Sequence, residues 1–163
     1  MSNKKVLIRS EVPTHLTWDL STIYPSDDAF ENSFKEIENL VTKFSKHEST
    51  LTKNVDYLFN ALEDRNTLLM KMESLYVYSH LKSDQDTSDA TYQALNARAS
   101  ALYSKVAASL SFIETNLLKV NEEVIRSYLE DDRLSIYETE FNHLFERRKH
   151  ILSDKEEKLL ALA

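Results

Sequence analysis

Glycine is absent from the 163-residue sequence, although average usage of about 7% would place roughly eleven glycines in a chain of this length. Glycine lets the backbone approach a phosphate closely, and it forms the tight turns of dinucleotide-binding and P-loop motifs. These phosphate-binding motifs are therefore excluded. Only two prolines are present, so few residues interrupt helices, and we expect long helices joined by polar loops.

Cysteine is also absent, which excludes a disulfide framework and a thiolate zinc site. The charge is acidic overall, with 27 Asp and Glu against 20 Lys and Arg and a formal net charge of -7. Nucleic-acid binding requires a basic face, so we expect no nucleic-acid partner. The N-terminal apolar run, residues 6–8, is too short for a signal peptide, and no segment reaches membrane-spanning length. We therefore expect a cytoplasmic protein without a membrane partner.

Apolar residues at helical spacing predict an all-α fold. Residues 26–44 have acids in the first turn and one apolar face, which is typical of an amphipathic helix. Asn54 can cap a second helix, and the polar loop of residues 83–89 precedes a third. We expect an antiparallel bundle that contains a long helix pair at about 54–81 and 88–118, because a short loop makes consecutive helices antiparallel neighbours.

The third predicted helix carries two rows of side chains. One row is large and the other is small, and each row follows one face at helical spacing, so we expect both faces to be buried. Small side chains allow another backbone to approach closely. The large row is Tyr92, Leu95, Leu102, Val106, Ile113 and Leu117, and the small row is Ala90, Ala94, Ala97, Ala101, Ser104, Ala108 and Ser111.

Shorter helices are predicted after this pair. Asn121 can cap a helix over residues 121–131, residues 134–151 show helical spacing, and residues 153–156 form a capping box. Residues 1–25, in contrast, fit no regular period. The sequence therefore predicts an irregular N-terminal strap over residues 1–25 and a helical lobe over residues 26–163.

Two short motifs begin like zinc-binding sequences but lack a second histidine. His47 and Glu48 start an H-E-x-x-H pattern, in which Leu51 occupies the place of the second histidine. His143 starts the inverted pattern, in which Arg147 replaces the second histidine. We expect surface helix residues at both places, and we predict no catalytic, cofactor-binding or metal-binding residue in this chain.

Other polar groups also have a structural interpretation. Asp84, Asp86 and Asp89 suggest a calcium loop, but an EF-hand needs a glycine at its sixth position, so we expect a helix-capping loop. The basic run 147–149 is expected to complement a helix dipole. Tyrosines that could line a peptide groove lie at helical spacing, so we expect them in the core and rim: Tyr76, Tyr78, Tyr92, Tyr103, Tyr128 and Tyr137. His15, His80 and His150 show no local acid and nucleophile partners.

Three segments in the same order resemble oligoendopeptidase F and its relatives, zinc metallopeptidases of the thimet-oligopeptidase type. The first is Trp18-Asp19-Leu20 followed by Ile23-Tyr24-Pro25 and an acidic, aromatic helix start. The others are LYVYSHLKSDQDTSDATYQALNARASAL at residues 75–102 and HILSDKEEKLLA at residues 150–161. The resemblance covers nearly the whole chain.

This resemblance implies a cytosolic endopeptidase that cuts short peptides in a deep channel between helical lobes. In the family, a downstream H-E-x-x-H helix and a further glutamate bind zinc, and neither is present here. The chain is expected to be the N-terminal lobe alone, a scaffold and channel wall that is catalytically incomplete and holds no metal itself. Its expected partners are the downstream catalytic region and, in the full enzyme, an oligopeptide. A free-standing helical protein-interaction module is the alternative.

Both ends of the chain support this expectation. The apolar bulk around Trp18 fits a docking strap that packs on the helical lobe or on the missing remainder of the enzyme. A hydrophobic staple ahead of the first helix is the other interpretation, but it leaves the indole unexplained. At the C-terminus, residues 156–163 stop inside an apolar helical pattern, so we expect the natural chain to continue.

Overall fold

The computed structural model describes Leu7 and residues 9–148. This part of the chain is all-α, as predicted. The helix predicted from Ser153 lies outside the described residues. The α-helices are α1 (Asp27–Phe44), α2 (Val55–Gln85), α3 (Ala90–Leu110), α4 (Phe112–Lys119), α5 (Glu122–Tyr128) and α6 (Glu138–Arg148). Short 3-10 segments lie between α1 and α2 and between α5 and α6.

The described residues divide into two compact units. Unit one contains residues 9–45 and 64–110, and unit two contains residues 46–63 and 111–148. α1, α3 and most of α2 lie in unit one. No helix in the described ranges is long and apolar enough to cross a membrane.

Local capping explains where α1 begins. The Ser26 side chain accepts a hydrogen bond from the backbone N–H of Ala29 at 3.2 Å, which satisfies a donor that the first helical turn leaves unpaired. Asp27 and Asp28 follow in that turn, where the helix dipole favours negative charge. The predicted first helix is therefore confirmed.

Contacts between α2 and α3 confirm the predicted long helix pair and its direction. The Ser79 hydroxyl lies 3.4 Å from the Asn96 Oδ1 atom, and the rings of Tyr76 and Tyr103 lie 5.4 Å apart. From the first contact to the second, the residue in α2 changes from 79 to 76, while the residue in α3 changes from 96 to 103. The two helices therefore run antiparallel.

The end of the third predicted helix differs from the expectation. α3 stops at Leu110 and α4 starts at Phe112, so the predicted helix to residue 118 is interrupted at Ser111. The Ser109 hydroxyl donates a hydrogen bond to the Val106 carbonyl oxygen at 2.7 Å. Serine hydroxyls that bond to the backbone compete with the helical ladder. Ser79 makes the same bond to the Tyr76 carbonyl oxygen inside the unbroken α2, so this bond alone does not account for the break.

Only one of the two rows on this segment is buried. Leu95, Leu102 and Val106 of the large row are buried in α3. Every member of the small row, from Ala90 to Ser111, is exposed, so the prediction of a second buried face is wrong for the described chain. Alanine and serine bury little apolar area, so covering them stabilises a fold less than covering leucine.

Unit two is built from shorter helices. The Asn121 side chain caps α5 as predicted, accepting a hydrogen bond from the backbone N–H of Glu123 at 2.9 Å. The helix predicted over residues 134–151 instead begins as a 3-10 segment, Asp132–Tyr137, before α6. Leu134 and Tyr137 are both buried, and their spacing of three residues matches the period of a 3-10 helix.

Candidate functional site

Two apolar side chains anchor the end of the N-terminal strap on unit one. Leu20 is 7% exposed. The Tyr24 ring packs edge-on against Tyr78 at 5.2 Å and against Phe30 at 5.8 Å between centroids. The hydroxyl groups of Tyr24 and Ser33 are hydrogen-bonded at 2.8 Å. These contacts fix the strap against α1 and α2.

Hydrogen bonds at Asp19 fix the turn just before this anchor. Its carboxylate accepts hydrogen bonds from the Ser21 hydroxyl at 2.6 Å and from the Ser21 backbone N–H at 3.0 Å. These two bonds, led by the hydroxyl, lower the pKa of Asp19, because they stabilise the charged form. The Thr22 hydroxyl donates to the Asp19 carbonyl oxygen at 2.9 Å. The turn is therefore held in one shape.

Trp18, which the sequence suggested as a docking residue, does not pack on unit one. Its side chain is 86% exposed, and Leu16 beside it is 68% exposed. Of the two surfaces expected for the docking strap, the helical lobe is therefore not the one that covers the indole, and docking on the missing remainder stays a prediction. Leu20 and Tyr24 take the inner positions instead, and they leave the largest side chain of the strap in solvent.

A small cleft lies beside the exposed indole. Its volume is ≈ 270 Å³. The apolar part of its lining is Leu16, Trp18, Leu20 and Leu81, and Arg9 and Asp84 supply charges of both signs. We call this feature the Trp18 cleft. Its shape and lining suit one large apolar side chain surrounded by polar groups.

Another cleft lies where the strap meets α1 and α2. Its volume is ≈ 800 Å³, and Tyr24, Met70 and Lys71 are among its lining residues. Lys71 Nζ forms an ion pair with Glu36 at 3.0 Å, and the Met70 side chain is 71% exposed. This cleft is wide and open, and the Lys71–Glu36 pair partly satisfies its polar groups.

The tyrosines divide between core and rim, as predicted. Tyr78 and Tyr137 are buried, whereas Tyr103 is 42% exposed. The Tyr76 ring stacks on the His80 ring at 6.0 Å, and His80 Nε2 lies 3.5 Å from Asp84 Oδ2. Asp84 was not expected as an acidic partner of His80, although a spacing of four residues on a helix is a signal for such a pair.

Neither incomplete zinc motif belongs to a group of metal-binding side chains within residues 9–148. His47 lies in a 3-10 segment rather than an α-helix, and Leu51 at the failed position is buried in the core. His143 is exposed on α6, and Arg147 forms an ion pair with Glu114 at 3.0 Å. Among the described residues, no group of three or more His, Cys, Asp or Glu side chains could hold a metal ion. His150 lies outside those residues.

Asp89 of the predicted acidic loop caps α3, as expected, whereas Asp84 lies inside α2, because α2 extends to Gln85 rather than ending at about residue 81. Asp86 accepts hydrogen bonds from the hydroxyl and the backbone N–H of Ser88 at 2.6 and 2.9 Å, and these bonds lower its pKa. Asp89 accepts a hydrogen bond from the Thr91 backbone N–H at 2.8 Å, which is the contact of an N-cap residue. These carboxylates are thus used in local structure.

Arg148 caps the C-terminus of α4 by donating hydrogen bonds to backbone carbonyl oxygens. Its Nη2 atom donates to the carbonyl oxygens of Leu117 and Leu118, each at 2.9 Å, and to that of Val120. These carbonyls lie at the C-terminus of α4, where backbone oxygens lack intrahelical partners. Arg147 and Arg148 also lie in the last turn of α6, the position expected for basic residues that complement a helix dipole. Lys149 lies outside the described residues.

In unit one, Leu20 and Tyr24 thus pack on the helices, and an exposed apolar cleft lies beside Trp18. Comparison with known proteins gives the family. A family model described as oligopeptidase F matches residues 116–163. Oligopeptidase PepF of Bacillus subtilis is 35% identical over 156 residues, and the plasmid-encoded oligoendopeptidase F of Lactococcus lactis subsp. cremoris is 39% identical over 160 residues.

A solved structure agrees with these sequence matches. The crystal structure of oligoendopeptidase F from Enterococcus faecium is 36% identical to this chain, with a TM-score of 0.67, and the match covers 83% of this chain. The chain is therefore related to the N-terminal region of oligoendopeptidase F, as its motifs predicted. The B. subtilis and L. lactis matches each cover 95% of this chain but only 23% and 26% of those proteins. The chain thus spans about a quarter of the length of these relatives.

Proposed function

We propose that this chain is the N-terminal helical lobe of a zinc-dependent oligoendopeptidase that hydrolyses short peptides in the cytoplasm. The observation that carries the proposal is the match over 95% of this chain to about a quarter of each relative. The chain has the length and similarity of one region of a larger peptidase. Residues 1–25 would form its strap and residues 26–163 its lobe.

The lobe would contribute shape rather than catalytic groups. Its described residues contain no cluster that fits a zinc ion, so zinc would be held by residues downstream of this chain. We therefore assign no catalytic step to any residue numbered here. Helical surfaces such as α2 and α3 would form scaffold and channel wall, and the substrate would be an oligopeptide.

A complementation experiment tests this proposal. Residues 1–163 and the downstream region of the same protein are expressed separately and together, and each preparation is assayed with a fluorogenic peptide. We expect residues 1–163 alone to cleave nothing and to retain no stoichiometric zinc after dialysis against a chelator. The coexpressed pair should copurify through a tag on one piece and show cleavage that a chelator abolishes and zinc restores.

Two results would contradict the proposal. One is full activity of the downstream region alone, and the other is a pair that neither copurifies nor regains activity. Either result would favour the alternative, a free-standing helical interaction module. The exposed row of small residues on α3, from Ala90 to Ala108, favours that alternative, because such a row lets another helix approach closely.

A further inference from the structure

We propose that the Trp18 cleft is the contact through which this lobe binds the downstream region of the same protein. A large apolar side chain of that region would occupy the cleft beside the indole. The inference rests on the proposed function, since it requires a downstream region, and it deepens that function by naming the contact surface.

The apolar side chains at the edge of the Trp18 cleft are exposed to solvent. Trp18 is the only tryptophan in the chain, and it is 86% exposed beside Leu16, which is 68% exposed. Exposed apolar patches with a polar rim mark interaction sites, and tryptophan is enriched among the residues that dominate binding energy at interfaces. In the described chain the indole stabilises the lobe little, so its apolar area is available to a partner.

The backbone that follows Trp18 is held by hydrogen bonds and by a buried side chain. Asp19, the neighbour of Trp18, is tied to Ser21 by hydrogen bonds of 2.6 and 3.0 Å. Leu20 is buried at 7% exposure, and it lines the cleft together with Leu81 of α2. Ordering a mobile segment on binding weakens association. The backbone on the C-terminal side of Trp18 is already held, so that cost is small here.

The length of the relatives and the lining of the cleft indicate the occupant. The matched relatives are about four times as long as this chain, which covers 23% and 26% of them. Arg9 and Asp84 give the cleft charges of both signs, so the occupant needs a neutral apolar centre with polar groups around it. A protein surface has this composition, whereas a membrane surface or a nucleic acid would require a cluster of basic residues.

The lone tryptophan makes a direct measurement possible. Residues 1–163 labelled with 5-fluorotryptophan should give a single fluorine NMR resonance, from Trp18. On addition of the unlabelled downstream region, we expect this resonance to shift and to lose its dependence on the H₂O/D₂O ratio, because the indole leaves solvent. An unchanged resonance in a mixture that has regained peptidase activity would overturn the inference.

A pair of substitutions tests the energetics. Trp18→Ala should weaken the affinity for the downstream region roughly 30-fold or more, the loss typical of a central interface residue, while Trp18→Phe should restore part of it. Ile136→Ala is the matched control, because Ile136 is 74% exposed in unit two, and it should bind like the wild type. The urea midpoint of the Trp18→Ala chain should equal that of the wild type.

The outcomes separate this inference from the proposed function. If the two pieces fail to associate at all, the proposed function fails. If they associate and Trp18→Ala binds as tightly as Ile136→Ala, only the assignment of the contact fails. If residues 1–163 alone form a dimer that Trp18→Ala abolishes, the occupant is a second copy of this chain, and the inference is overturned.

Discussion

The two units use their aromatic residues differently. In unit one, the Phe30 ring lies 5.8 Å from the Tyr24 ring and 5.6 Å from the Tyr78 ring, so the centre of that unit consists of packed rings. In unit two, the Arg126 guanidinium group lies 4.5 Å from the centroid of the buried Phe145 ring. Unit one also places a guanidinium group against a ring, since Arg98 lies 4.7 Å from the centroid of the Phe34 ring. The units therefore differ in the size of these ring clusters rather than in their use of charge, because Phe30 lies among several rings, whereas Phe145 pairs with Phe141.

The two units also differ in the length of their helices. α4 has 8 residues and α5 has 7, whereas α2 has 31. Each helix leaves about four N–H and four C=O groups unpaired at its ends, so short helices have a large share of unpaired groups. Side chains such as Arg148 and Asn121 satisfy those groups in unit two. Substitutions in the two units should therefore lower the free energy of unfolding by different amounts and for different physical reasons.

The largest effect is expected from Phe30→Ala in unit one. The Phe30 side chain is 0% exposed, and its removal leaves a cavity, so the free energy of unfolding should fall by about 3 to 5 kcal/mol. Urea denaturation followed by circular dichroism measures this loss. Met70→Ala, a change at a 71% exposed side chain, is the control and should stay within about 0.5 kcal/mol of the wild type. A loss below about 1 kcal/mol for Phe30→Ala would contradict a core of packed rings.

A smaller effect is expected from Arg148→Met in unit two. This change removes the charged donor from the carbonyls of Leu117 and Leu118, which should cost about 1.5 to 3 kcal/mol. Arg147→Met is the control, because Arg147 forms an exposed ion pair with Glu114, and such a pair is worth about 0.2 to 1 kcal/mol. The same denaturation assay compares them. Equal losses for both variants would show that Arg148 does not cap α4.

The smallest effect concerns Tyr78 at high pH. Burial, helped by the nearby Asp27 charge, raises the pKa of Tyr78 from 10.0 to about 12. From about pH 10 upward the unfolded chain loses the phenol proton of Tyr78, while the folded chain keeps it. The contribution of the protonated phenol to the free energy of unfolding is therefore complete below pH 10, and it is lost as the pH rises to about 12. The urea midpoint of the wild type should fall across this range, and that of Tyr78→Phe should fall less.

Tyr103→Phe is the control for this measurement, since it removes a hydroxyl group from a ring that is 42% exposed. Its midpoint should follow that of the wild type between pH 10 and pH 12. If Tyr78→Phe follows the wild type equally closely, the phenol of Tyr78 does not contribute in the way that its burial indicates.

The sequence by itself determined the fold class and the starts of most helices. The caps at Asn54 and Asn121 were predicted correctly, because a cap is a hydrogen bond between residues two or three positions apart. The absence of glycine predicted long helices, and the described chain contains them. The family relation was also readable from short segments, since residues 18–25 and 75–102 are local patterns.

Only the tertiary structure decided which surfaces are covered. Trp18 was expected to be buried if the strap docked on the lobe, yet Leu20 and Tyr24 occupy the inner positions, and the indole is 86% exposed. The small row of α3 likewise stays in solvent. The contact of Arg148 with Leu117 joins residues 31 positions apart. Burial and such contacts depend on segments that are distant in sequence, so helical spacing identifies a face but not what lies against it.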